Sequence, residues 1–123
     1  MGLVQVAQHA EDLDRAAEFY SRLLGVPPVA RFEPPGLLFF DLNGVRLLLD
    51  GNAPSALLYL RVASVRERHR ELVGAGVRFE SEPHVIFRHT DDTLGPAGTD
   101  EWQVFLHDPE GNLVGLVSQE PPD

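Results

Sequence analysis

The chain nearly repeats itself, and a repeat of this kind limits the architectures open to it. The segment LDRAAEFYSRLLG, from Leu13 to Gly25, is answered by VRERHRELVGAG from Val65 to Gly76, and each follows a short run of alternating apolar residues. Likewise FFDLNGVRLLL (Phe39 to Leu49) is answered by LHDPEGNLVGL (Leu106 to Leu116), with Asp41 and Gly44 matching Asp108 and Gly111. One supersecondary unit of strand, helix and hairpin is therefore written twice. Such a duplication predicts a ligand pocket at the seam between the copies.

Local patterns fill in the two copies. Residues 3 to 9 alternate with a period of two and predict a strand. Glu11, Asp12 and Asp14 place negative charge at the start of a helix that Gly25 and Pro27 close. Leu13, Ala16, Ala17, Tyr20, Leu23 and Leu24 fall on its apolar stripe. Short strands are expected at 28–33 and 36–41, and Asn43-Gly44 predicts a tight turn into Val45 to Asp50. The second copy restarts with a strand from Ala56 to Val62 and a helix capped by Ser64 that stops at Gly76, followed by a short strand from Val77 to Ser81. A closing hairpin is expected from Glu101 to His107 and from Asn112 to Ser118, with a short tail after it. The stretch from 82 to 100 breaks the symmetry and reads as a long loop at the pocket's edge.

Bulk properties narrow the class. A length of 123 residues suits one domain, with module 1 at about 1–52 and module 2 at about 56–120. No apolar run approaches the roughly 20 residues that span a bilayer, and the N-terminal residues do not resemble a secretory signal, so a cytoplasmic protein is expected. The formal charge of −9, with no basic stripe, argues against nucleic acid as a partner and would suit a cationic ligand as well as plain solubility. There is no cysteine, which removes thiol chemistry and thiolate metal sites.

With the repeat and the Asp108-Pro109-Glu110-Gly111-Asn112 turn in view, the chain resembles the vicinal oxygen chelate superfamily, the glyoxalase, bleomycin-resistance and extradiol dioxygenase group. The resemblance rests on Asp12-Leu13 through Ala17-Glu18-Phe19-Tyr20 to Leu24-Gly25, and on FLHDPEGNLVGL near the end. It implies an α+β fold of two tandem βαβββ modules, whose strands form a cupped, partly closed mixed sheet with helices outside. It also implies a homodimer. Metal-using members place ligands on the first and last strands of each module, which correspond here to Gln5, Leu48, Leu57 and Gly115. Leucine and glycine offer no lone pair on a side chain, so no metal or other cofactor is expected at the family site.

Alternation directs Gln5, Ala7, Leu37, Phe39, Arg46, Leu48, Asp50, Leu57, Tyr59, Arg61, Trp102, Val104, Leu106, Leu113, Gly115 and Val117 to one surface, the concave one if the resemblance holds. From this set the expected ligand-binding residues are Gln5, Phe39, Arg46, Leu48, Asp50, Leu57, Tyr59, Arg61, Trp102 and Gly115. Trp102 and Phe39 would offer flat faces to a ligand, although Trp102 would serve equally as core. Arg46 and Arg61 would pair with anionic groups, or else face solvent or pair with Asp50.

His84 and His89 are candidates for metal-free general base chemistry, and with a carboxylate such as Glu101 or Asp91 they form an alternative metal cluster. The expected function is binding of a small molecule in the sheet cavity. The alternatives are a lyase or epimerase acting on a carbonyl or thioester substrate, or a non-catalytic interaction module.

Overall fold

The computed structural model describes residues 1–123 and contains two helices and nine strands in two mixed sheets. The chain divides into two compact units, residues 1–56 with 108–112, and residues 57–107 with 113–123.

In the first unit the order is β1 (Gln5–His9), α1 (Leu13–Leu24), β2 (Ala30–Phe32), β3 (Leu37–Leu42) and β4 (Val45–Asp50). The strands lie in the order β1-β4-β3-β2, with β1 parallel to β4 and the other pairs antiparallel. Asp12 caps α1 by accepting a hydrogen bond from the Arg15 amide at 3.1 Å. Gly25 ends it in the left-handed conformation, φ 74°, which a side chain would strain. The helix buries Leu13, Ala16, Tyr20 and Leu23, and the sheet buries Leu38, Phe40, Leu47 and Leu49. Tyr20 packs against Phe40 with ring centroids 6.2 Å apart. Burying such a side chain contributes roughly 1.5–3 kcal/mol before the entropy of ordering it is counted.

The turn at 108–112 belongs to this first unit and is held there by side chains. Asp108 is 5% exposed. Its Oδ1 accepts from the amides of Glu110 and Asn112, and its Oδ2 accepts from the Tyr20 hydroxyl and Asn112 Nδ2. Asn112 Nδ2 also donates to the His9 carbonyl at 2.7 Å, and Glu110 accepts from the Asp12 amide at 3.0 Å. The backbone demands of Pro109 and Gly111 thus account for only part of this motif; the carboxylate and the amide are its fasteners.

The second unit repeats the topology. It runs β5 (Leu58–Arg61), α2 (Val65–Gly74), β6 (Arg78–Phe79), β7 (His84–Arg88), β8 (Asp100–His107) and β9 (Leu113–Glu120). The order is β5-β9-β8-β6, with β5 parallel to β9, and β7 also pairs with β8. Ser64 caps α2 through the Glu67 amide, and Val65, Leu72, Val104, Leu106, Val114 and Leu116 are buried.

One expectation needs correction. The 82–100 stretch is not all loop, because His84–Arg88 forms β7, a strand exposed at every position and so without the alternation that marks a half-buried one. The C-terminal tail is tied down by the ion pair of Asp123 with Arg66 at 2.8 Å. The two mixed sheets, neither of them closed, are consistent with the α+β fold of tandem βαβββ modules that the resemblance implies. No helix is long and apolar enough to cross a membrane.

Candidate functional site

In the first unit, strand register puts Gln5, Ala7, Leu37, Phe39, Arg46, Leu48 and Asp50 on one face, as alternation predicts. Their polar groups are already engaged. Arg46 Nε donates to Gln5 Oε1 at 2.9 Å, and its guanidinium lies 5.9 Å from the Phe39 ring centroid. Asp50 Oδ1 accepts from the Asn52 amide at 2.9 Å, so this carboxylate shapes the turn and does not pair with Arg46. Leu48 is buried hydrocarbon.

In the second unit, Tyr59 pairs with Gly115 and Arg61 with Val117 across β5 and β9, and Phe105 and Gln103 face the same two β9 residues from β8. This face holds an open cleft of about 450 Å³ lined by Tyr59, Arg61, Phe87, Leu94, Glu101, Gln103, Val117 and Gln119. Of the expected ligand-binding residues it includes Tyr59 and Arg61. Leu57 lies just before β5 with its side chain half exposed.

Trp102 is a correction. It pairs with Ser118 and shares the face of Val104 and Leu106, which pack toward α2, while Glu101, Gln103 and Phe105 take the opposite face, where Glu101 and Gln103 line the cleft. The Arg66 guanidinium of α2 stacks over the Trp102 ring at 3.9 Å from its centroid. The expected face assigned the apolar alternate of β8 to the ligand. The buried core under α2 claims that alternate, because it is the more hydrophobic of the two.

At one end of the cleft stands a polar cluster that the sequence only hinted at. His89 is 4% exposed, and its Nε2 donates to Glu101 Oε1 at 2.8 Å. Gln119 Nε2 donates to the same oxygen at 3.1 Å. Gly95 closes over the pair; a Cβ there would lie 2.8 Å from His89 Cε1 and 2.9 Å from Gln119 Nε2, so the loop approaches as tightly as only glycine permits. The Phe87 ring packs 4.6 Å from the His89 ring.

His84 is not part of this cluster. It is exposed, and its Nδ1 lies 3.3 Å from the Glu82 carbonyl. Asp91 accepts from the Thr93 amide, and hydrogen bonds from Thr93 hold its carboxyl below the usual carboxylate range. Gln103, Gln119, Phe87 and Leu94 were not foreseen as cleft residues. The alternation Glu101, Gln103, Phe105 was visible in the sequence, but which alternate faced the helix was not.

The residues at the family's metal positions do not fit a divalent ion. In the first unit they are Leu48 and Gln5, whose amide oxygen is taken by Arg46. In the second they are Leu57 and Gly115. A Cβ on Gly115 would lie 2.9 Å from Tyr59 Cδ1 and 3.1 Å from Phe105 Cε1, so two aromatic rings occupy the space a ligating side chain would need. Nor do any three His, Asp or Glu residues group in a way that could hold a metal ion.

The model of the Glyoxalase/Bleomycin resistance protein/Dioxygenase superfamily matches residues 2–116. No curated protein matches the chain. Among solved structures, a member of the same superfamily from Sphaerobacter thermophilus is 19% identical, with 96% of this chain and 97% of that chain covered and a TM-score of 0.73. A lactoylglutathione lyase from Agrobacterium tumefaciens is 23% identical, with 95% and 92% covered and a TM-score of 0.65. A protein described as a conserved domain protein is 13% identical, with 98% and 100% covered and a TM-score of 0.75. At these identities the likeness speaks for the fold. The family match extends over nearly the whole chain, and the chain belongs to the Glyoxalase/Bleomycin resistance protein/Dioxygenase superfamily.

Proposed function

We propose that this protein binds a small organic molecule on the helix-free face of its second sheet, without a metal ion at the family positions. The observation that carries this reading is the packing of Tyr59 and Phe105 over Gly115, where a metal-using relative would present a ligating side chain. The cleft beside it has the makeup of a ligand site, with apolar walls from Tyr59, Phe87, Leu94 and Val117 and a few polar groups between them. Its volume of about 450 Å³ lies within the common range for small-molecule sites, roughly 300–1,000 Å³.

Amide chemical-shift mapping with a panel of small aromatic and aliphatic acids, amines and alcohols tests the reading. Shifts should concentrate on Tyr59, Arg61, Gln103, Val117 and Gln119. Shifts scattered over the surface, or none at all, would contradict it.

A second reading, a metal-free lyase or epimerase acting on a carbonyl or thioester, draws its support from His89 and Glu101. A carboxylate steadied by two donors on one oxygen keeps its other oxygen for a proton. Under that reading Glu101→Gln abolishes turnover of such substrates while Arg46→Gln leaves it intact; equal turnover by the two variants would remove its agent.

A further inference from the structure

We infer that the cleft selects a small amphoteric ligand, with an oxyanion at one end, a protonated amine or other strong hydrogen-bond donor at the other, and a flat apolar body between. The inference rests on the small-molecule reading above and adds the ligand's chemical class. Its basis is a pair of opposite charges that share one face of a sheet without pairing. Arg61, on β5, is exposed in the cleft wall, and its guanidinium makes no hydrogen bond or ion pair within the chain. Glu101, on β8, has Oε1 fixed by His89 and Gln119, while its Oε2 takes no protein hydrogen bond.

Register sets their spacing. Arg61 is level with Val117, Val117 with Gln103, and Glu101 lies two residues further along β8. Two strand spacings across and two residues along separate the Cα atoms by about 12 Å. The long arginine side chain and the shorter glutamate reach inward from that separation, which leaves room for a ligand the size of one substituted ring. Val117 lies between them, Tyr59 stands two residues before Arg61 on β5, and Phe87 of β7 lies level with Glu101.

The two ends differ in rigidity. Glu101 is held by a buried histidine, so it presents a lone pair in a fixed direction, as recognition of a donor requires. Arg61 is exposed and held by no partner in the chain, and its fork matches a carboxylate or phosphonate. An anion alone would meet the negative Glu101, and a cation alone would meet Arg61; a molecule carrying both satisfies both. That complementarity is selection by repulsion as well as attraction.

The test titrates the protein with 4-(aminomethyl)benzoate, benzoate, benzylamine and neutral benzyl alcohol, following the Tyr59, Val117 and Gln119 amides. The amphoteric probe should bind at least about tenfold more tightly than either singly charged one, as expected for two charge-assisted contacts. Arg61→Gln should erase its advantage over benzylamine, and Glu101→Gln its advantage over benzoate. Glu101→Gln keeps an acceptor for His89 and Gln119, and an unchanged amide spectrum outside the cleft verifies its fold. If all four probes shift the cleft amides with equal affinity, the cleft binds small molecules but this inference is overturned. If none of the four shifts them, the inference and the small-molecule reading fall together.

Discussion

The Tyr20 hydroxyl donates a 2.8 Å hydrogen bond to Asp108 Oδ2, joining residues 88 positions apart in the chain at a site where Tyr20 is fully buried. This contact completes the bonding of the turn: its carboxylate is taken up by a helix side chain, its own backbone and Asn112. Removing Tyr20's hydroxyl by Tyr20→Phe leaves Asp108 short of one donor and should cost about 1–3 kcal/mol. Asp108→Ala strips all four donors of their acceptor and should cost more. Urea unfolding of both variants measures the order; equal stability of Tyr20→Phe and wild type would contradict the role assigned to the bond.

Burial, with Asp108 adding to it, raises the Tyr20 phenol well above the ordinary tyrosine range. In the unfolded chain the same phenol loses its proton near pH 10. The folded state therefore keeps this contribution in full below about pH 10 and loses it as the pH climbs above that value. The prediction is a fall in unfolding free energy at alkaline pH that is blunted in Tyr20→Phe. Parallel alkaline profiles for the two proteins would count against it.

Gly115 should tolerate no side chain without rearrangement. A Cβ would press on the Tyr59 and Phe105 rings, and Gly115→Ala should cost about 1–2 kcal/mol, typical of overpacking. Tyr59 is 54% exposed and free to swing outward, so Tyr59→Ala in the same chain should recover part of that cost. A double-mutant cycle measures the coupling, and strictly additive effects would contradict the contact.

Trp102, the chain's one tryptophan, reports on α2 and not on the cleft. Arg66→Ala removes the cation over its ring and should shift its emission to the red at a cost of about 0.5–1 kcal/mol. A cleft ligand should leave that emission unchanged; quenching by a bound probe would place Trp102 on the wrong face here.

Much of the architecture could be read before any coordinates. The repeat foretold the matching topologies of the two units, Ser64 and Gly25 marked helix ends that the structure confirms, and Val45–Asp50 forms the strand expected after Asn43-Gly44. The site was less accessible, for a physical reason. Alternation in β8 separates two faces but does not say which one meets the helix, so Trp102 was assigned to the wrong side and Gln103 was passed over. The pairing of His89 with Glu101 depends on a strand, β7, and a loop closed by Gly95, neither of which carries a periodic signal.

The absence of a ligating set at the family positions is the claim on which the functional reading turns. Equilibrium dialysis of chelator-stripped, untagged protein against zinc, manganese and nickel ions measures it directly. The account predicts that no ion is retained at one per chain and that Gln5→Ala changes nothing. One ion held per chain and released by Gln5→Ala would contradict it.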